Sequence, residues 1–271
     1  MMKSSSFLLI ALVALLKNIE GERNTLTLKV IVGYKVAPVI ATFSARSRLA
    51  CAAGCVQNQA CDVYDYKDKS NSNNCNIAAL NVDTYFEQDS DSICYVPVGA
   101  VISLRNEQHG LWGRWSAYQY CDEGSFVYGL RAWTDEYGGP GLAQDDCGMT
   151  GLELYCKDLA GTVTTPIKFN LGFSDAVVRP QDTCQGGTFA LGFRMKWLGD
   201  QGDEDDVAMT TFRLHCQTGT AQSYGDLQGT WYSAAMCPPE SLICGFRVLY
   251  QLLTVDDVTC FNEVVMACCF P

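Results

Sequence analysis

The stretch Cys121-Asp-Glu-Gly-Ser-Phe-Val-Tyr-Gly129-Leu130-Arg131 decides the fold, because its frame is written three times. A cysteine precedes a Gly-apolar-Arg step by eight residues at Cys121 to Gly129-Leu130-Arg131, Cys184 to Gly192-Phe193-Arg194 and Cys237 to Gly245-Phe246-Arg247. A paired acid follows in each copy (Asp145-Asp146, Asp205-Asp206, Asp256-Asp257), and a second cysteine closes it at Cys156, at Cys216, and at Cys268 or Cys269. Trp115 and Trp231 stand six residues ahead of the first cysteine in two copies, with Val178 in that place in the middle one. Repetition at fixed offsets signals a repeated structural unit.

Within each copy the closing segment alternates with period two. Leu152, Leu154 and Cys156 share one face, as do Phe212, Leu214 and Cys216, and Val264, Met266 and Cys268. The other face carries Glu153 and Tyr155, Arg213 and His215, and Val265 and Ala267. Half-buried antiparallel strands give this pattern. One copy of about fifty residues cannot bury its own apolar face, so the three must share a core. The expectation is a closed, three-sided, mainly β structure.

Composition narrows the partners. The 271 residues carry a net charge of -11, which argues against nucleic acid, heparin or an anionic membrane face as the main partner. Residues 1–21 read as a secretory signal, with a polar start and the apolar run Phe7 to Leu16. That run is too short to span a bilayer comfortably, so no membrane insertion is expected and the protein is read as secreted and extracellular. Fifteen cysteines fit an oxidising compartment. With only His109 and His215 and no zinc-type spacing, disulfides are expected and neither a metal nor a cofactor is. An odd count leaves one cysteine outside the intrachain bridges.

Cysteine spacing changes near Val96-Pro97-Val98-Gly99, which sets domain boundaries of 22–98 and 99–271. In the first domain Leu26 to Tyr34 reads as a strand, Ser44 to Gln57 as a short amphipathic helix, Cys61 to Tyr66 and Cys75 to Ile77 as a hairpin, and Ile93 to Val96 as a last strand. The string C-AAG-C-VQNQA-C-DVYDY, followed by C-NIAAL, resembles a PAN/apple module, a small α+β domain. That resemblance implies bridges of Cys51 with Cys75 and Cys55 with Cys61. Cys94 is then left over, or links to a second chain as a disulfide-bonded dimer.

The strings G-LWGRW, C-DEG-SFVYGLR, DD-CGMTGLELYC, DD-VAMTTFRLHC and the final ICGFR…ACC resemble the vitelline membrane outer layer protein I family over about residues 100 to 271. The resemblance implies a β-prism I fold of three Greek-key sheets about a pseudo-threefold axis. It also implies secretion, a place in egg coats and other extracellular layers, and affinity for oligosaccharides. Sorting cysteines by copy, Cys121 with Cys156 and Cys184 with Cys216 would each staple one sheet. Cys237, Cys244, Cys268 and Cys269 would form two bridges in the third copy, with the last two partners undetermined. Pseudo-threefold packing would bring Cys147 to Cys260.

Candidate glycan contacts are Asp146, Asp206 and Asp257, together with Trp133 and Trp197 beside the variable loops. The simpler reading of the acids is turn capping, since adjacent aspartates on one strand point to opposite sides. Trp115 and Trp231 recur by position and are read as core. Arg131, Arg194 and Arg247 are read as ion-paired with the loop acids. No nucleophile elbow or base network is present, so no catalytic residue is assigned. The function expected is a structural or adhesive protein of an extracellular coat, its partners being glycans or coat proteins. The alternatives are a soluble lectin-like defence protein and a weak transferase acting on N-acetylglucosamine oligomers.

Overall fold

The computed structural model describes residues 28–37, 41–43, 50–52, 55, 63–67, 75–78, 85–97, 101–106, 113–135, 147–198, 208–223, 229–251 and 259–271. The expected signal segment, Cys61, Trp112 and all three acid pairs, with Asp146, Asp206 and Asp257, lie outside the described residues. The chain divides between Ser103 and Leu104 into two compact units, with Pro238–Glu240 and Phe270 assigned to the first.

The first unit is built on an antiparallel sheet of five strands: β1 (Leu28–Ala37), β2 (Ala41–Phe43), β3 (Val63–Lys67), β4 (Cys75–Ala78) and β5 (Tyr85–Pro97). Their order is β1-β5-β3-β4-β2. Residues 50–52 and 55 are helical, and the remainder of the helix expected over Ser44 to Gln57 lies outside the described residues. β3 and β4 form the expected hairpin, with Tyr64 opposite Ile77. The last strand is longer than the sequence suggested, and β2 was not foreseen. Cys51, on the helical residues, is bridged to Cys75 on β4, and Cys55 is also disulfide-bonded. Cys94 on β5 lies between Ile31 of β1 and Asp65 of β3 and is fully buried. Of the two readings of Cys94, its burial and its place outside the disulfides fit the leftover thiol.

The second unit, together with Val101–Ser103, consists of three five-stranded antiparallel sheets. The first contains β9 (Ser125–Thr134), β10 (Met149–Asp158), β11 (Ile167–Asn170), β12 (Val177–Val178) and β13 (Asp182–Thr183). The second contains β14 (Ala190–Trp197), β15 (Met209–Cys216), β16 (Thr220–Gln222), β17 (Thr230–Trp231) and β18 (Ala235–Met236). The third joins the two ends of the unit: β19 (Leu242–Tyr250) and β20 (Phe261–Cys269) pair with β6 (Val101–Leu104), β7 (Arg114–Trp115) and β8 (Gln119–Tyr120). Strand orders are β11-β10-β9-β12, β16-β15-β14-β17 and β6-β20-β19-β7, with β13, β18 and β8 continuing the last position. In the first two, a hairpin, a third strand and a return beside the first strand make a Greek key. The third has the same order built from both ends of the unit, giving the expected β-prism of three pseudo-equivalent sheets.

Every pair of sheets packs together through its central hairpin, so the inward side chains meet along one axis. Leu130, Leu152, Leu154, Phe193, Phe212, Phe246, Val264 and Met266 are fully buried there, and Phe193 stacks on Phe212 at 5.4 Å. The period-two reading of the closing strands therefore describes the inner faces of β10, β15 and β20.

The repeated glycine has a repeated cause. The strand register shifts beside Gly129, Gly192 and Gly245, so that Tyr128, Leu191 and Cys244 are each an extra, bulged residue. The carbonyls of these bulged residues accept hydrogen bonds from the backbone N–H groups of Cys184 (2.8 Å), Cys237 (2.7 Å) and Cys121 (2.9 Å). A returning strand thus crosses directly over each glycine. A Cβ on Gly192 would lie 2.4 Å from the Ala235 carbonyl oxygen, and one on Gly245 2.6 Å from that of Gln119.

The crossing corrects the expected role of the bridges. Cys121 hydrogen-bonds into the third sheet but is bridged to Cys156 on β10 of the first. Cys184 belongs to the first sheet and is bridged to Cys216 of the second, and Cys237 belongs to the second and is bridged to Cys268 of the third. Each bridge therefore fastens one sheet to the next and does not staple a single sheet. The reason is that the segment ahead of each repeated cysteine pairs with the preceding hairpin. Cys244–Cys269 lies within the third sheet, and Cys147–Cys260 joins the starts of β10 and β20 next to Leu171 and Phe173.

Gly192→Ala is expected to lower stability by about 1–3 kcal/mol, because a backbone carbonyl cannot yield cheaply to the new methyl group. Urea denaturation reads this as a lower midpoint, and an unchanged midpoint would contradict the strand crossing.

Candidate functional site

Facing away from the core, each sheet carries one indole with two cations over it. On the first sheet these are Trp133 with Arg131 at 5.1 Å and Lys168 at 5.3 Å from the ring centroid. On the second they are Trp231 with Arg194 at 4.6 Å and Arg213 at 4.5 Å. On the third they are Trp115 with Arg247 at 4.4 Å and Arg105 at 5.4 Å. A guanidinium or ammonium over an aromatic face is attracted by the ring quadrupole, by about 0.5–2 kcal/mol. Among the described residues this aromatic–cation group is the chemical feature that the pseudo-symmetry repeats on the outside of the prism.

The strand register explains why the middle copy can lack its tryptophan. Trp231 faces Lys196 across its strand pair, and Trp115 faces Leu249. In the first sheet Val178 takes the place of the indole, and its cross-strand neighbour is Trp133. The ring has moved over by one strand and stays in the group.

Trp115 and Trp231 are thus half-buried on outer faces, which corrects their reading as core residues. Their two-residue return strands sit outside the inner hairpins, beside the arginines. Trp133 and Trp197 also part company. Trp133 is in the repeated group, two residues beyond Arg131, whereas Trp197 is three residues beyond Arg194, in the place that Thr134 takes in the first sheet, and alternation puts it on the other side of its strand. Trp197 packs near Tyr232 at 6.1 Å, and its buried Nε1 has no hydrogen-bond partner.

The recurring arginines meet different surroundings. Arg131 pairs with Glu153, directly across the strands, at 2.7 Å. The acid is on a strand and not in a loop, contrary to the sequence reading. The Tyr155 hydroxyl donates to the same carboxylate at 2.9 Å, and its pKa is pushed up to about 12 by burial and then by Glu153. On the third sheet Arg247 faces Val265, which is fully buried, and Arg105 lies 3.7 Å from Glu263.

On the second sheet Arg194 faces Arg213, and His215 stands two residues along the same face. The Arg213 guanidinium donates to the Gln222 side-chain oxygen from Nε, at 2.6 Å, and also from Nη2. Arg194 Nε and His215 Nε2 are buried without a hydrogen-bond partner. Burial and the Arg194 charge push the Arg213 pKa down, and burial, Arg194 and Arg213 hold that of His215 below its ordinary value. The sequence reading placed Arg213 and His215 on this face but did not single them out. The signal was available in the outward pairs, which read Glu-Tyr, Arg-His and Val-Ala in three otherwise equivalent copies.

Residues 100–271 match the sequence model of the family described as vitelline membrane outer layer protein I. The human vitelline membrane outer layer protein 1 homolog is 25% identical over 168 residues, 59% of this chain and 79% of the human protein. The mouse homolog is 23% identical over 166 residues, with the same shares of the two chains. Among solved structures, a mannose-specific jacalin-related lectin from Morus nigra in complex with mannose is 11% identical, with a TM-score of 0.40, over 64% of this chain and 96% of that one. Calystegia sepium agglutinin is 10% identical, with a TM-score of 0.40, over 65% of this chain and 99% of that one.

Because folding depresses the His215 pKa, the unfolded chain binds more protons near pH 6.5 and stability falls as pH drops through that value. His215→Asn is expected to flatten the dependence of unfolding free energy on pH between about 5 and 7. Equal slopes for the two proteins would place this proton uptake at another group.

Proposed function

The chain belongs to the vitelline membrane outer layer protein I family, and on that premise we propose a secreted structural or adhesive protein of an extracellular coat that holds glycans on the outer faces of its prism. The observation that carries this reading is the indole with two cationic neighbours, half-buried outside the core and present on all three sheets. An indole face makes apolar contacts with the C–H groups of a sugar ring, and guanidinium groups donate hydrogen bonds to its hydroxyls. Six disulfides among the described residues suit the oxidising space outside the cell.

The N-terminal unit, taken as a PAN/apple-like adhesive module, supplies a second contact. A chain with two binding units can cross-link a layer through effective concentration. Asp146, Asp206 and Asp257 stand as further candidates for sugar hydroxyls, with Trp133 and Trp197. No catalytic residue is assigned.

Incubation of the secreted chain with N-acetylglucosamine oligomers tests the reading, with calorimetry following binding and mass spectrometry following oligomer length. Binding with unchanged lengths is expected, weakened about tenfold when Trp115, Trp133 and Trp231 are all replaced by Ala. Altered lengths would make the protein a transferase instead. Agglutination of cells, inhibited by a simple sugar, would favour the soluble lectin. Absence of binding to these oligomers and to a broader glycan array would remove glycans from the account.

A further inference from the structure

The outer face of the second sheet differs in charge from the other two. At the position opposite the recurring arginine stand Glu153, Arg213 and Val265 in the three sheets. Opposite the recurring glycine stand Tyr155, His215 and Ala267. Opposite the recurring arginine and glycine, one face therefore carries an acid and a phenol, one carries two apolar residues, and one carries an arginine and a histidine; among the described residues no carboxylate is paired with Arg194, Arg213 or His215. Among the described residues, Asp182 is bonded to the neighbouring strand, and its oxygens accept from the backbone N–H groups of Gln222 and Thr183.

Like charges directly opposite one another destabilise a strand pair. Here both guanidinium groups also lie within 4.6 Å of one indole centroid, in a half-buried setting. The Trp231 quadrupole offsets part of that repulsion, and Gln222 accepts from Arg213 without adding negative charge. Arg194 Nε and His215 Nε2 are buried nitrogens with no hydrogen-bond partner among the described residues; Arg131 Nε and Arg247 Nε are likewise buried on the other two faces, so the second arginine and the histidine are what set this face apart. Two guanidinium groups facing each other across a strand pair, beside an aromatic ring and an imidazole that can donate, are the complement of an oxyanion carried by a sugar.

We propose that Arg194, Arg213 and His215 form an anion-binding site that takes a sulfate or carboxylate group of an acidic saccharide whose ring rests against Trp231. This deepens the glycan reading and rests on it. The net charge of -11 opposes long polyanions, but screening over about 8 Å leaves a local cationic group able to hold one anionic group. The ligand is therefore a short acidic saccharide and not a heparin-like polymer.

Calorimetry on the full secreted chain tests this with four probes: a monosulfated N-acetylglucosamine oligomer, its unsulfated counterpart, a glucuronate-bearing disaccharide, and inorganic sulfate alone. The sulfated oligomer is expected to bind about tenfold or more tightly than the unsulfated one. Arg213→Gln and Arg194→Gln should each abolish that preference, so the result does not depend on one variant folding. Arg179→Gln, which removes the same charge from the first sheet, should keep it. The glucuronate and sulfate probes separate a carboxylate site from a sulfate site and a bound sugar from a bare ion; sulfate alone binding as tightly as the oligomer would overturn the saccharide. Equal affinity for sulfated and unsulfated oligomers would overturn the anion site and leave the glycan reading standing. Binding to no saccharide would overturn both, and a preference that survives both arginine variants would place the anion elsewhere.

Discussion

The structure depends on the junction at which a returning strand crosses a bulged glycine. There the bulged residue's carbonyl receives the N–H of the repeated cysteine, and the same cysteine's sulfur is bonded to the next sheet. Hydrogen bond and disulfide act on one residue from opposite sides. Repeated three times, the junction links third sheet to first, first to second, and second to third, so no sheet can leave the core alone. A disulfide contributes about 2–4 kcal/mol in typical domains, and here each one closes a loop between sheets. The ends of the unit are drawn into the same ring, because β6, β7 and β8 complete the sheet of β19 and β20.

A frame fixed this way tolerates change on its outside. Inner positions are occupied by Leu, Phe, Val and Met and must interlock with two other sheets. Outer positions are less uniform: opposite the recurring arginine and glycine the three copies carry Glu153 and Tyr155, Arg213 and His215, and the buried Val265 and Ala267. The indole is kept on all three, even where it had to move from the return strand to the neighbouring one. Retention of a half-buried ring with cations around it, against variation in everything opposite, is the physical ground for treating these faces as binding surfaces.

Much of this was legible in the sequence. The threefold frame, the mainly β class and the inward residues of β10, β15 and β20 followed from spacing and period-two alternation, and the family from the resemblance of the motif strings. Which sheet each segment joins was not legible, because adjacency in sequence suggested one copy per sheet. The strand crossing at Gly129, Gly192 and Gly245 shifts the first part of every copy onto the preceding hairpin. For the same reason recurrence alone misplaced Trp115 and Trp231 in the core. Trp133 and Trp197 stand four and five residues past their glycines, and that one-residue difference puts them on opposite sides of their strands. Arg213 and His215 escaped notice because alternation says that two side chains share a face and not that their charges meet there.

The central claim is that one frame presents three chemically distinct faces, each reported by its own indole. The most direct measurement is a titration followed by nuclear magnetic resonance of the tryptophan indole N–H groups, assigned by substitution of Trp115, Trp133 and Trp231 in turn. On addition of a sulfated saccharide, the Trp231 resonance is expected to move first and furthest, with those of Trp115 and Trp133 lagging. Shifts of equal size at all three indoles, or none at Trp231, would contradict it.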